Sequence, residues 1–272
     1  MMAEWPIFVL SLSSASHRRA DITEQFALLG LEFEFIEAVN GRQGLPAALE
    51  PLVDRPGTVA RTGYGMSEGE YACALSHQLA YARIIDEDLP GAIILEDDAI
   101  LTWLFRDFYR ERQYQAGDLI QLYHYQGKVH KRRPAPSGPL ALMRLASNSW
   151  MAVGYSISRR GAERIRQHSL PLRARADWPC DTFRILDHYV TWPRAVLHPA
   201  PIASQSTIDK SGVMPEAFDF SRDYAKGWRR LLSLASWQRL LRRPLLRDLD
   251  PGRAPTAQED AQLVCERYRE VL

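Results

Sequence analysis

The stretch IFVLSLSSASHRRADITEQFALLGLEFEFIEA, residues 7–38, decides the fold class of this chain. Its opening apolar run, 7–12, predicts a buried strand, and the alternation of apolar and acidic residues over 33–38 predicts a second one. The segment between them, 17–29, has the apolar spacing of an amphipathic helix. Strand, helix and strand in so short a stretch form a βαβ unit, which joins parallel strands. We therefore expect an α/β fold with a mostly parallel central sheet and helices on both faces.

A further apolar run, Ile93-Ile94-Leu95, ends in three consecutive carboxylates, Glu96, Asp97 and Asp98. Adjacent carboxylates repel one another unless a positive charge lies among them. A hard divalent cation such as Mn²⁺ or Mg²⁺ prefers oxygen ligands and suits such a cluster. Because alternate residues of an extended strand point to the same side, we expect Glu96 and Asp98 to bind the cation and Asp97 to point away. A solvated acidic turn is the alternative interpretation.

Other elements follow from local signals along the chain. Ser67 and Glu70 form a capping-box pattern at the start of a helix that we expect to end at Asp86. The remaining expected elements are an irregular excursion over 42–66, strands over 118–123 and 149–157, a loop over 128–139 that is rich in Pro and Arg, and a helix over 158–167.

Composition narrows the possible classes of protein. The chain has 272 residues, of which 46% are apolar and 25% charged, as in an ordinary soluble globular protein. Its formal net charge of +1 argues against a general nucleic-acid binder. The three cysteines, Cys73, Cys180 and Cys265, are far apart and include no C-x-x-C pair. Their spacing argues against a zinc cluster and a disulfide framework, and it is consistent with a reducing compartment.

The two ends of the chain bear on its cellular location. Residues 1–14 have no basic segment before their short apolar run, and no stretch reaches about 18 uninterrupted apolar residues. A cytoplasmic protein is therefore expected. Segment 225–248 combines seven basic residues with Trp and Leu, which is typical of an amphipathic helix that lies on a membrane surface. A packing helix with a basic solvent face is the alternative. We expect a main domain over 1–210 and a helical tail over 211–272.

Six short motifs follow one another between residues 6 and 208. In order they are IFVLSLSSASHRRADI, FIEAVNGR, MSEGEYACALSH, AIILEDDAIL, YSISRRGAERI and WPCDTF. Together they resemble the opening strand with paired Arg, and the A-x-D-G, S-x-G-E-x-G-C-x-x-S-H, L-E-D-D, Y-x-I-S-x-x-G-A and P-x-D elements of glycosyltransferase family 25. That family includes bacterial lipooligosaccharide galactosyltransferases and the related collagen galactosyltransferases. Two positions depart from its pattern, because Asn40 replaces the usual Asp and Ala72 replaces the second Gly.

The resemblance implies a GT-A-type fold, in which a Rossmann-like α/β domain binds a nucleotide sugar. It also implies an inverting transfer, most often of galactose from UDP-galactose, with Mn²⁺ or Mg²⁺ as cofactor and a lipooligosaccharide or lipopolysaccharide acceptor. The expected location is the inner face of the cytoplasmic membrane, with contact through the basic segment 225–248. No nucleic-acid partner is expected.

The implied chemistry assigns roles to named residues. Glu96 and Asp98 would bind the metal, with His198 as a third ligand or otherwise a packing residue. Asp181, from the P-x-D element, would act as general base, with Asp177 as the second choice; either residue is otherwise a turn or helix-capping residue. The residues expected to contact the donor are Leu12, Arg18, Arg19, Asn40, Gly41, Glu70, Ser76, His77, Asp97 and Gln205.

Other functions remain open at this point. The donor can be another nucleotide sugar such as UDP-glucose. A phosphohydrolase using Glu96 and Asp98 is a second enzyme class, although two-metal hydrolysis draws ligands from several segments and this chain has one acidic cluster. A non-catalytic carbohydrate-binding homologue is a third.

Overall fold

Eleven strands are present in the computed structural model, which describes residues 4–131, 138–199 and 245–249. In chain order they are Ile7–Ser11 (β1), Glu34–Glu37 (β2), Gly91–Glu96 (β3), Ile100–Leu101 (β4), Leu119–Gln121 (β5), Lys128–His130 (β6), Ala141–Arg144 (β7), Gly154–Ser158 (β8), His188–Trp192 (β9), Val196–Leu197 (β10) and Leu246–Asp248 (β11). Seven of them form one sheet in the order β2-β1-β3-β8-β5-β9-β7, and the pairs β4/β10 and β6/β11 form two small sheets.

The large sheet is mixed but mostly parallel. Strand β1 is parallel to both β2 and β3, and β5 is parallel to β9. Strand β8 is antiparallel to its neighbours β3 and β5, and β7 is antiparallel to β9. Five of the seven strands thus run in one direction, so their carboxyl ends meet at one edge of the sheet. In open α/β sheets this edge is where ligands bind.

Six α-helices lie within the described ranges. They are Ser16–Leu29 (α1), Arg55–Thr62 (α2), Glu68–Asp86 (α3), Trp103–Arg110 (α4), Arg159–Ser169 (α5) and Thr182–Ile185 (α6). Helix α1 ends at Leu29, as predicted, and Gly30 after it adopts the left-handed conformation with a φ of 62°. Helix α3 begins with the predicted capping box, because Ser67 accepts from the Glu70 amide and Glu70 accepts from the Ser67 amide.

The sheet is covered by helices on both faces, as predicted. Alternate residues of β1 and β3 point to opposite sides. Val9 and Leu95 pack with α1 and α4 on one face, whereas Leu10 and Ile94 pack with α3 and α5 on the other. All four side chains are at most 5% exposed, so the apolar run of each strand serves two cores at once.

Three local expectations are corrected by the structure. The excursion 42–66 contains a helix, α2, which Asp54 caps by accepting from the Gly57 amide. Segment 128–139 begins with a strand, β6, rather than a loop. The strand expected over 149–157 is shorter and begins only at Gly154. In each case the local sequence signal is weak, or the element depends on pairing with a distant segment.

Most of the predicted C-terminal tail lies outside the described residues. Its described part, 245–249, contains a strand, because β11 pairs antiparallel with β6, with Arg247 opposite Val129. Leu249 is buried beside Val129. The last residues of segment 225–248 therefore return to the sheet-containing domain, although the boundary was expected at 210. None of the helices in the described ranges has the length and apolarity needed to span a bilayer.

The loop after β2 lies directly against the start of α3. A β-carbon added at Gly41 would lie 2.5 Å from the carbonyl oxygen of Glu68 and 2.9 Å from the β-carbon of Ala72. No such carbon could fit without a shift of the backbone. At Gly65, in the segment that leads into the same helix, an added β-carbon would meet no atom within 4 Å.

We therefore predict that Gly41→Ala lowers the free energy of unfolding by about 1–3 kcal/mol, the usual cost of overpacking. Gly65→Ala, the matched control, should leave it nearly unchanged. Urea titration of both variants followed by circular dichroism measures the difference. Equal stability of the two variants would show that the loop is not held against α3.

Candidate active site

A cleft of about 950 Å³ opens at the carboxyl ends of β1, β2 and β3. The first turn of α1, the loop after β2 and the segment that leads into α3 form its walls. Glu96, Asp97 and Asp98 line it as well. The acidic run therefore lies at the edge of the sheet where ligand binding is expected.

The acidic run does not continue as an extended strand. Strand β3 ends at Glu96, and Asp97 and Asp98 form a turn. The expected alternation therefore stops at Glu96, and Asp97 does not point away from the cleft. Its Oδ2 accepts a hydrogen bond of 2.7 Å from the Ser11 hydroxyl. Since Ser11 is the last residue of β1, Asp97 fastens the turn to the neighbouring strand.

Arg18 supplies the positive charge between two of these carboxylates. Its Nη1 lies 3.0 Å from Oδ1 of Asp97 and 3.3 Å from Oδ2 of Asp98. Burial raises the pKa of Asp97 despite these contacts. Burial acts in the same direction on Asp98, but there the charges of His198 and Arg18 outweigh it and lower the pKa. Asp98 is thus held as a carboxylate.

The surroundings of Asp98 are suitable for a hard divalent cation. Nε2 of His198, one residue beyond β10, lies 3.7 Å from Oδ2 of Asp98. Oδ1 of Asp98 is buried and has no hydrogen-bond partner among the described residues. A buried carboxylate oxygen without a partner is costly unless a cation binds it. Asp98 and His198 supply a carboxylate and an imidazole, which are donors that suit Mn²⁺, and Glu96 lines the same cleft.

Glu96 itself faces α3 rather than Asp98. Its Oε1 lies 3.2 Å from Nε2 of His77 and 3.8 Å from Sγ of Cys73. These three ligand atoms lie within 4.8 Å of one another and form a second group that could hold a metal. Burial and the charges of Glu96 and Asp177 raise the pKa of Cys73 well above its usual value. Since metals bind the thiolate, we interpret this group as a hydrogen-bonded cluster.

Most of the residues predicted to contact the donor come together in the cleft. Those that line it are Leu12, Arg18, Asn40, Gly41, Ser76, His77 and Asp97. Two of these have evident structural roles as well: the Ser76 hydroxyl accepts from the Val39 amide at 2.9 Å, and Asn40 accepts from the Arg42 amide at 3.0 Å. Both contacts shape the loop after β2.

Two other predicted residues support the cleft from behind its wall. Arg19 donates to the Ser11 carbonyl at 2.9 Å and forms an ion pair of 2.8 Å with Glu37. Glu70, besides its part in the capping box, forms an ion pair of 2.5 Å with Arg175. Neither Arg19 nor Glu70 belongs to the lining. Gln205 lies outside the described residues.

The two candidates for the general base lie in different surroundings. Asp181 is the residue before α6; its side chain is 51% exposed and forms an ion pair of 3.0 Å with Arg184. It does not cap α6 with its side chain. Asp177 is partly buried and accepts from the Ala152 amide at 3.0 Å. The Glu96 amide donates to the carbonyl of Val153, the residue after Ala152, so Asp177 lies close to the end of β3. Burial and the charge of Glu96 raise the pKa of Asp177.

Several lining residues were not predicted from the sequence. Tyr64 and Met66 precede α3, and Cys73 lies one turn before His77 on the same face of that helix. The spacing of Cys73 and His77, i and i+4, is a signal that could have grouped them. Nothing local marks Tyr64 or Met66, because their place in the wall depends on how the loop 63–67 packs against α3.

Comparisons with known proteins agree with the motifs. Residues 4–183 match the family described as glycosyltransferase family 25 (LPS biosynthesis protein). The chain is 28% identical over 170 residues to lipooligosaccharide biosynthesis protein lic2B of Haemophilus influenzae, covering 59% of this chain and 62% of that protein. It is 32% identical over 162 residues to the lacto-N-neotetraose biosynthesis glycosyltransferase LgtB of Neisseria meningitidis, covering 56% of each.

A more distant similarity extends to animals. A glycosyltransferase 25 family member of Anopheles gambiae is 25% identical over 178 residues, which are 58% of this chain and 28% of that protein. With the two bacterial relatives the match spans 56 to 62% of their own length. Because the family match covers well over half of its 272 residues, the chain belongs to glycosyltransferase family 25.

Proposed function

We propose that the protein is an inverting, metal-dependent glycosyltransferase. It transfers a sugar to a lipooligosaccharide or lipopolysaccharide acceptor. Our first choice of donor is UDP-galactose, from which galactose would be transferred. The observation that carries the proposal is the acidic run Glu96–Asp98, which lines the cleft at the carboxyl ends of parallel strands. The names of the bacterial relatives, a lipooligosaccharide biosynthesis protein and a lacto-N-neotetraose biosynthesis glycosyltransferase, support the acceptor class.

The leaving diphosphate needs positive charge, and the cleft offers it from two directions. Asp98, with Glu96 and His198, would hold Mn²⁺ or Mg²⁺, which as a Lewis acid neutralises charge on the leaving phosphates. Arg18 lies beside Asp98 and can contact phosphate directly. The first turn of α1, 16–19, borders the cleft and contains no acidic residue. Its backbone amides and helix dipole therefore favour an anion there.

An inverting transfer also needs a base that removes the proton of the acceptor hydroxyl. Asp177 is favoured by its position near Glu96 and by its raised pKa, since a base works best when its pKa approaches the working pH. Asp181 is favoured by the P-x-D element but is paired with Arg184 at the surface. We place Asp177 first on this ground and keep Asp181 as the alternative.

We predict release of UDP from UDP-galactose in the presence of a lipooligosaccharide acceptor, with loss of activity in EDTA and recovery with Mn²⁺. A panel of UDP-sugars, with and without Mn²⁺, measures this. The proton NMR coupling constant of the new anomeric centre should show a β-linkage. Phosphate release without an acceptor would favour the phosphohydrolase, and no turnover with any donor would favour a binding protein.

We predict that Asp98→Ala lowers kcat/KM by about a hundredfold or more, because Lewis-acid stabilisation amounts to several kcal/mol. Mn²⁺-dependent binding of UDP, followed by calorimetry, should be lost as well. Asp86→Ala removes an exposed carboxylate at the end of α3 and is the matched control. Activity of Asp98→Ala equal to that of the control would remove Asp98 from the metal site.

The two possible bases can be separated by a pair of matched variants. Asp177→Asn should lower kcat by about 10²- to 10⁴-fold and leave UDP binding intact. The Asn carbonyl can still accept from the Ala152 amide, so the fold should be kept. Asp181→Asn should cost little. The reverse pattern of rates would identify Asp181 as the base.

Attachment to an anionic membrane through segment 225–248 is the remaining part of the proposal. Its basic residues would add about 1 kcal/mol each near such a surface. Because β11 belongs to the folded domain, truncation would disturb the fold, and neutralisation is the cleaner experiment. The variant replaces Arg229, Arg230, Arg239, Arg242 and Arg243 by Gln.

We predict that this variant with five substitutions binds vesicles containing phosphatidylglycerol much more weakly than the parent protein does. The difference should shrink as salt is added, because surface charge is screened. Sedimentation with liposomes measures it, and Arg164→Gln at an exposed position of α5 serves as the control. Equal sedimentation at low salt would argue that the segment does not contact the membrane.

A further inference from the structure

Four side chains, those of Tyr81, Tyr155, His77 and Glu96, form a hydrogen-bonded chain. It runs from the core on the α3 side of the sheet to the wall of the cleft. The hydroxyl groups of Tyr81 and Tyr155 lie 2.7 Å apart, and the Tyr155 hydroxyl lies 2.7 Å from Nδ1 of His77. Nε2 of His77 lies 3.2 Å from Oε1 of Glu96. Tyr81, Tyr155 and His77 are at most 2% exposed, so water does not compete for these contacts.

The positions of the protons determine which group donates in each hydrogen bond of this hydrogen-bonded chain. An ionised Glu96 can only accept, so Nε2 of His77 must carry the proton of that contact. Nδ1 of a neutral His77 is then an acceptor, and Tyr155 must donate to it. The Tyr155 oxygen accepts in turn from Tyr81. Burial raises the pKa of both phenols, so each retains the proton that it donates.

Packing holds the hydrogen-bonded chain in place. Tyr155 belongs to β8 and lies opposite Ile94 of β3, two residues before Glu96. Its ring stacks on His77 at a centroid distance of 5.7 Å and meets the edge of Trp178 at 5.1 Å. The members of the chain are therefore carried by α3, β3 and β8, and not by loops. Rigid elements of this kind position a side chain more accurately than loops do.

A second donor from α3 meets the same carboxylate oxygen. Cys73 lies one turn before His77, and its Sγ is 3.8 Å from Oε1 of Glu96. The raised pKa of Cys73 keeps its proton on the sulfur, where it can be donated. Both donors of α3 thus converge on Oε1. This convergence fixes the rotation of the carboxylate and leaves Oε2 as the oxygen that α3 does not use.

We propose that Tyr81, Tyr155 and His77 are positioning residues that orient Glu96 and reserve its Oε2 for the cation in the cleft. The inference rests on the proposed function, since it gives Glu96 a metal-binding role. It goes further because it gives Tyr81 and Tyr155, which lie behind the cleft wall, a role in positioning Glu96. Hydrogen bonds to ligating residues typically change metal affinity by about 10- to 100-fold.

The first test needs neither metal nor substrate. In metal-free protein labelled with ¹⁵N-histidine, we expect Nε2 of His77 to carry a proton and Nδ1 to accept from Tyr155, as long-range ¹H–¹⁵N correlation spectra report. In Tyr155→Phe the donor to Nδ1 is gone, and the ¹⁵N shifts of His77 should change. A His77 with its proton on Nδ1 in the unmodified protein would overturn the directed chain.

The second test measures metal affinity in the presence of UDP by electron paramagnetic resonance of Mn²⁺. Tyr155→Phe should weaken Mn²⁺ binding by about 10- to 100-fold. Tyr114→Phe is the matched control, because Tyr114 is a fully buried tyrosine in the core on the opposite face of the sheet. Equal dissociation constants for the two variants would reject the positioning role.

A third comparison separates hydrogen bonding from packing. His77→Gln keeps an amide that can donate toward Glu96 and should retain more Mn²⁺ affinity than His77→Leu, which has similar bulk but no donor. Equal losses in both would indicate that His77 acts only by filling space. If the unmodified protein binds no Mn²⁺ and transfers no sugar, the proposed function fails together with the metal role. The spectra of His77 would still decide whether the directed chain exists.

Discussion

Repulsion among three adjacent carboxylates is the constraint on which the cleft depends. Glu96, Asp97 and Asp98 can remain close and partly buried only because each has a different set of partners. Arg18 bridges Asp97 and Asp98, and the Ser11 hydroxyl donates to Asp97. Glu96 turns to the other side, toward His77. The three carboxylates therefore have separate partners: Glu96 contacts α3, whereas Asp97 and Asp98 contact α1.

The mixed sheet makes this division possible. Strands β1 and β3 are neighbours and parallel, so Ser11 and the turn after Glu96 meet at the same edge. Helices α1 and α3 cover opposite faces, and each sends a polar side chain over that edge. The proposed cation would be held by Asp98, which Arg18 of α1 contacts, and by Glu96, which His77 of α3 contacts. Such prior arrangement is what electrostatic catalysis requires.

Much of the local structure could be predicted because its signals are short-range. The end of α1 at Leu29 and the capping box at Ser67 each involve residues within about four positions, and both are present. The alternation argument failed beyond Glu96 because the chain turns there, which depends on Ser11 and Arg18 from distant segments. Asp177 and Asp181 could not be ranked because burial depends on tertiary contacts.

The sequence by itself determined the α/β class, the order of the first strands and helices, and the family, since these depend on periodicity, caps and ordered motifs. Only the tertiary structure decided that β8 enters the sheet antiparallel and that Glu96 faces Cys73 and His77. It also placed β11 beside β6. The reason is physical: strand pairing and charge partners join residues far apart in the chain, and their energies do not depend on sequence neighbours.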